Sequence, residues 1–189
     1  MRADARRNRE RLVHTAREAF AEQGTDVALD DIARRAGVGP GTLYRHFPTR
    51  EALVEAVYRG DITALSDRAY ELIESLPPAD ALVRWLREEI RFVIEKRGLH
   101  AALHTLLEGN AETFAWCRGT LHEAGEALIA NARRAGAIRP DVTATDLLRL
   151  GHGLGIASQN TPDIADHLVS VLLDGLRPRR EPDAPRAPG

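Results

Sequence analysis

The stretch from Asp31 to Phe47, DIARRAGVGPGTLYRHF, leaves the chain little conformational choice. Ile32, Ala33 and Ala36 give one apolar helix face, and Gly37 supplies the positive φ that ends a helix within one residue. Val38 covers the corner. Gly39 is a permissive N-cap, and Pro40 suits the first helical position, where no backbone N–H is needed. The second helix is expected from Pro40 to about Phe47, with Leu43 and Phe47 turned inward. Gly41, Thr42, Tyr44, Arg45 and His46 then face outward. A short helix offering a hydroxyl, a phenol, a guanidinium and an imidazole suits the major groove of DNA.

The flanking sequence reads as helix throughout, with no strand pattern of useful length. Arg2, Arg6, Arg7, Arg9 and Arg11 open the chain, as a basic arm or a solvated helix start. Leu12, Val13, Ala16, Ala19 and Phe20 recur at helical spacing up to Gly24. Thr49 caps a long helix that carries Leu53, Ala56, Val57, Ile62 and Ala69 and stops at Pro77-Pro78. Asp80 is the expected cap of the next helix, which runs to Gly98. Further helices are expected over about 99–108 and 111–135, then from Thr143 to Ser158, and from a Thr161 cap to Leu176. The expected fold is therefore all-α, with about nine helices. Its segments are a helix-turn-helix domain over 1–48, a connecting helix over 49–76, a helical body over 77–176, and a proline-rich disordered tail over 177–189.

Charge is unevenly placed. Residues 1–50 hold ten Arg and seven Asp or Glu, a net +3, while the whole chain is −2. That asymmetry fits a DNA-binding end on a non-binding body. The single cysteine, Cys117, excludes an intramolecular disulfide framework and is compatible with a reducing cytoplasm. Neither a signal peptide nor a membrane-length apolar run is visible, so a cytoplasmic protein is expected, with no membrane partner.

The run IARRAGVGPGTLYRHFPTREALVEAV resembles the helix-turn-helix of TetR-type transcriptional regulators, over roughly residues 9–60. Gly37, Thr42, Leu43, Tyr44, Phe47, Arg50 and Leu53 stand at that family's spacing. The resemblance implies operator DNA as partner, contacted by Arg34, Pro40, Gly41, Thr42, Tyr44, Arg45 and His46. Arg50 stands where the family has a phosphate-binding Lys or Arg. Ala28 departs from the pattern, because such regulators usually have Ser or Thr there to cap the second helix and meet a phosphate. The resemblance also implies a small-molecule effector bound in the body. Trp85, Phe92, His100, His104, Phe114 and Trp116 are the candidate lining.

Two further features carry expectations. Gly151 and Gly155 share a helix face that would allow close helix approach, and Ile164, Leu168, Val171, Leu172 and Gly175 form an apolar stripe. With Leu147 and Leu154 they are the expected interface of a four-helix homodimer. His100, His104 and Glu108 share one helix face, but they do not form a hydrolase motif, and no metal, cofactor or catalytic residue is expected. The reading is a dimeric repressor released by its effector, and not an enzyme. The alternatives are a metal-dependent helical enzyme on the His100/His104/Glu108 face, or a ligandless architectural DNA binder.

Overall fold

A computed structural model describes residues 2–96, 98–99 and 111–178. Eight α-helices lie among the described residues: α1 (Arg2–Gln23), α2 (Leu29–Arg35), α3 (Pro40–His46), α4 (Arg50–Ser75), α5 (Pro78–Glu95), α6 (Ala111–Arg134), α7 (Ala144–Ala157) and α8 (Ala165–Leu176). A 3₁₀ turn over Pro162–Ile164 precedes α8. The chain packs as two units. The first comprises Met1–Asp67 with Phe92–Leu121, and the second Arg68–Arg91 with His122–Gly189. This division does not follow the linear segments expected from sequence, because α4, α5 and α6 each supply residues to both cores.

In the first unit, Leu12, Ala16 and Ala19 of α1, Ile32 and Ala33 of α2, Leu43 of α3 and Leu53, Val54 and Val57 of α4 form one buried cluster with Phe47. Three residues stitch it from the polar side. Asp61, itself buried, pairs with the Arg17 guanidinium and with Lys96 Nζ at 3.0 Å, which ties α1 to α4 and to the end of α5. Removing one partner of such a buried set costs about 3–5 kcal/mol, since it strands a charge away from water.

The turn between α2 and α3 follows the sequence reading closely. Gly37 takes φ +67°, its N–H donates to the Arg34 carbonyl at 3.1 Å, and Val38 N–H donates to Ala33 at 3.0 Å. These are the paired bonds of a Schellman C-cap, which satisfy two carbonyls that the helix end leaves over. Gly39 caps α3, and Pro40 stands at its first position.

The second unit is built around α5. Ala81, Leu82, Trp85, Leu86 and Ile90 are buried on α5, and Leu128, Ile129 and Ala132 of α6 and Leu147 of α7 are buried in the same unit. Thr143 starts α7 through a full capping box: its side chain accepts from Asp146 N–H, and Asp146 accepts from Thr143 N–H at 3.0 Å. The Thr143 hydroxyl, which donates to Asp146 Oδ2 at 2.7 Å, and then the Thr143 N–H hold the Asp146 carboxyl below the usual range.

Three boundaries differ from the sequence reading. Helix α5 starts at Pro78, whose predecessor Pro77 accepts from Ala81 N–H at 2.9 Å, so Asp80 lies inside the first turn rather than capping it. Proline at the first helical position explains the earlier start. The same helix ends at Glu95 rather than Gly98. Thr161 offers its carbonyl to Ile164 N–H at 3.1 Å, so a 3₁₀ turn intervenes before α8. The helix expected over 99–108 falls outside the described residues beyond Leu99, as does the tail beyond residue 178.

Two glycines four residues apart are expected to respond in opposite directions. Gly37→Ala forces an L side chain into the left-handed region and should lower stability by about 1 kcal/mol, although nothing lies within 4 Å of the new Cβ. Gly41→Ala sits inside α3 with open space and should raise stability by up to about 1 kcal/mol. Urea unfolding midpoints test both, and equal shifts would contradict the backbone assignment.

Candidate nucleic-acid interface and effector region

Helix α3 has seven residues, too few for an isolated helix to persist in water. Its inward pair holds it: Leu43 is fully buried and Phe47, just past its end, nearly so. The other faces are open. Tyr44 is 45% exposed, Gly41, Pro40 and Arg45 are exposed, and Thr42 and His46 are half-buried. All six belong to one short helix, while the other two expected contacts, Arg34 and Arg50, lie on α2 and at the start of α4. Behind it, the Arg9 guanidinium lies 5.2 Å from the centre of the Phe47 ring, a cation–π contact from α1.

Helix α2 supports this face. Arg35 bonds to Glu22 of α1 at 2.8 Å. Arg34 remains exposed, with its guanidinium resting on Asp31 one turn earlier at 2.6 Å. Ala28 is the N-cap of α2 and provides no side-chain cap. Asp30 and Asp31 favour the positive helix end by charge alone.

Arg50 has a different local role from the one its position suggests. Its Nη1 donates to the Thr25 carbonyl at 2.5 Å and to the Val27 carbonyl at 2.7 Å. The guanidinium thus clamps the α1–α2 turn to the first residue of α4. Beside it Thr49 caps α4, accepting from Ala52 N–H at 3.2 Å, while hydrogen bonds from Glu51's own backbone N–H and from the Thr49 hydroxyl hold the Glu51 carboxyl below its usual range.

A helix-turn-helix with an uncovered second helix is the geometry that enters a major groove. Residues 12–57 match the profile described as bacterial regulatory proteins, tetR family, and residues 77–178 match that of the SbtR-like transcriptional regulator C-terminal domain. The chain belongs to the TetR family of transcriptional regulators. It superposes on the TetR regulator SCO0520 from Streptomyces coelicolor with a TM-score of 0.78 and 39% identity, over 91% of this chain and 99% of that one. A TetR regulatory protein from Mycobacterium vanbaalenii gives 0.74 and 34%, over 94% and 99%. The regulator UidR of Escherichia coli strain K12 is 29% identical over 187 residues, 94% of this chain and 93% of that protein. This TetR-family chain is a DNA-binding transcriptional regulator, not an enzyme. Among the described residues no helix is long and apolar enough to cross a membrane.

Four of the six candidate effector residues are described, Trp85 in the second unit and Phe92, Phe114 and Trp116 in the first. Trp85 is fully buried in the core of the second unit. Phe92 and Phe114 are half-buried against the core of the first, with Phe92 6.1 Å from Tyr58. Trp116 lies at the surface of the same unit beneath Arg59, whose guanidinium is 4.9 Å from its ring centre. Arg59 also donates to Thr113 at 2.9 Å. His100, His104 and Glu108 lie outside the described residues. A cleft of about 650 Å³ in the first unit is lined by Arg17, Phe20, Gly24, Thr25, Lys96 and Leu99 among others, and, among the described residues, by none of the four described candidates.

The expected dimer residues divide by face. Leu147, Gly151 and Gly155 are buried within their own chain, and a Cβ on Gly151 would meet Glu89 and Leu86 of α5. The glycines therefore serve intrachain packing, a correction to the expected interface. Ile164 and Val171 are exposed, as is Gly175, while Leu154, Leu168 and Leu172 are half-buried. Leu150 and Ile156, which the stripe reading passed over, are exposed apolar residues of α7.

Sequence reasoning also missed Glu89 and Asp61, both buried acids. Each stands where the apolar stripe of its helix should continue: Glu89 four residues after Trp85, and Asp61 beside Ile62. An acid in phase with buried neighbours is the available signal. Burial raises the Glu89 carboxyl to about 8.

Two measurements follow from these environments. Arg50→Ala should lower stability by about 2 kcal/mol, because two carbonyls lose a charged donor; a mere surface cation would leave the unfolding midpoint unmoved. Folded Glu89 keeps its proton up to about pH 8, whereas the unfolded chain loses it near the ordinary 4.5. Between these limits the folded state binds more protons, so stability falls as pH rises and levels off above pH 8. Glu89→Gln removes this slope. Its stability relative to the native chain should grow by a few kcal/mol between about pH 5 and pH 8, as read from urea midpoints across pH.

Proposed function

We propose that this regulator is a homodimeric repressor that reads a near-palindromic operator and is released from it by a small-molecule effector bound in its body. The observation that carries the reading is the uncovered outer face of α3, where Thr42, Tyr44, Arg45 and His46 stand around a helix anchored by Leu43 and Phe47. Tyr44 and Thr42 donate to backbone phosphates, and Arg45 reads a base edge, with guanine its commonest partner. Arg34 supplies a further phosphate contact by leaving Asp31, an exposed pairing of small net worth. Arg50 contributes by positioning the turn above it.

One seven-residue helix spans too few base pairs for useful specificity, which favours a dimer with recognition helices about 34 Å apart. The exposed apolar residues Leu150, Ile156, Ile164 and Val171, with half-buried Leu154, Leu168 and Leu172, are the surface we assign to it. Helix α4 is the coupling element. It is uninterrupted over 26 residues; its first turns close the head core, and Ala69 and Leu72 enter the second core. An effector that binds one setting of α4 better than the other shifts the population away from the operator-binding form.

Retardation of an intergenic DNA fragment, followed by release with candidate effectors, tests the whole reading. Tyr44→Phe should weaken retardation roughly tenfold, the worth of about one lost hydrogen bond, with an unchanged unfolding midpoint. Undiminished affinity removes Tyr44 from the interface. Val171→Glu should give a monomer by ultracentrifugation, and a persistent dimer refutes the assigned surface.

A further inference from the structure

The second unit buries a carboxyl that takes no ion pair among the described residues. Glu89 is 4% exposed, on the face of α5 that carries the buried Trp85 and Leu86. Its Oε2 has no hydrogen-bond partner. That oxygen lies 2.0 Å from where a Cβ on Gly151 would stand, so α7 has no side chain at the point where the carboxyl sits.

Three arginines of this unit, two of them on α5, are engaged elsewhere. Arg68 pairs with Glu71 and Glu88, Arg84 with Glu88, and Arg87 with Asp166. Glu88 therefore takes two guanidiniums while its immediate neighbour takes none among the described residues. Burying an unsatisfied polar group costs folding free energy, and such a group in a native structure calls for a physical reason. Its surroundings also specify what would satisfy it. A lone carboxylate against apolar walls favours a compact cation that brings both charge and N–H donors, because their attraction is weakly screened there.

We propose that Glu89 is the anchoring carboxylate of the effector site, and that the effector is an apolar molecule bearing a protonated amine. This rests on the reading that the body binds an effector. On binding, the neutral carboxyl gives its proton to solvent, and the resulting carboxylate pairs with the ligand ammonium. Trp85, one helical turn away, reports occupancy by fluorescence.

The test uses the full chain with 2-phenylethylamine and its neutral counterpart 2-phenylethanol, by calorimetry in buffers of different ionisation enthalpy. The amine is expected to bind at least tenfold more tightly, with release of about one proton, and its affinity should rise roughly tenfold per pH unit below about pH 8 while the alcohol's stays flat. Glu89→Gln should abolish both the preference and the proton release; the native chain's pH profile alone decides the matter should that variant not fold. Equal affinities, no detectable amine binding, or a preference that survives Glu89→Gln overturns the proposal. Operator release by a neutral compound, with no amine preference, removes the cation and keeps the regulator. Amine binding at Glu89 that leaves operator retardation untouched overturns the effector role of this carboxylate, while release by a different compound still decides the release reading.

Discussion

Burial of Leu43 and Phe47 is the interaction on which the DNA-reading head depends. Their four-residue spacing puts both on one side of a helix too short to exist alone, so α3 holds its shape only while those side chains stay in the core made by α1, α2 and α4. The same constraint determines what is displayed. Once these two positions point inward, the remaining five residues from Gly41 to His46 have no core to enter. Exposure of Tyr44, which would be unusual for an isolated aromatic, is a consequence of helix phase rather than a separate device.

Around that core the head uses charge to hold backbone rather than to bind. Arg50 is the clearest case: its guanidinium reaches the two carbonyls of the α1–α2 turn and joins elements 23 and 25 residues apart in sequence. Asp61 does similar work between α1, α4 and the end of α5, with two cations converging on one buried carboxylate. A positive charge near DNA is easily taken for a phosphate ligand. In this head part of it is spent on rigidity, which a recognition helix needs if its side chains are to keep register with base edges.

The second unit solves a different packing problem. Leu147, Gly151 and Gly155 form the inward stripe of α7, and Gly151 makes room for the Glu89 carboxyl. That leaves the other side of α7 and the length of α8 to present exposed apolar residues, Leu150, Ile156, Ile164 and Val171 among them. The two glycines and the exposed Leu150 and Ile156 thus face opposite ways on α7. A stripe of glycines invites a neighbouring helix, but whether that neighbour belongs to the same chain is a question of topology.

Local chemistry was legible in the residues themselves. The Gly37 turn, the Pro40 start, the Thr49 cap and the inward pair Leu43/Phe47 all follow from backbone preferences and helical period, which act over a few residues. Tertiary structure alone decided the rest. Arg50 is as good a phosphate ligand as any arginine until the chain brings two unused carbonyls within its reach. Gly151 could have faced a second chain until α5 arrived beside it. Glu89 reads as one of many surface acids until its helix phase is combined with what packs against it. Each of these depends on contacts between residues distant in sequence, and helical periodicity gives the face a side chain occupies without naming the element it will meet.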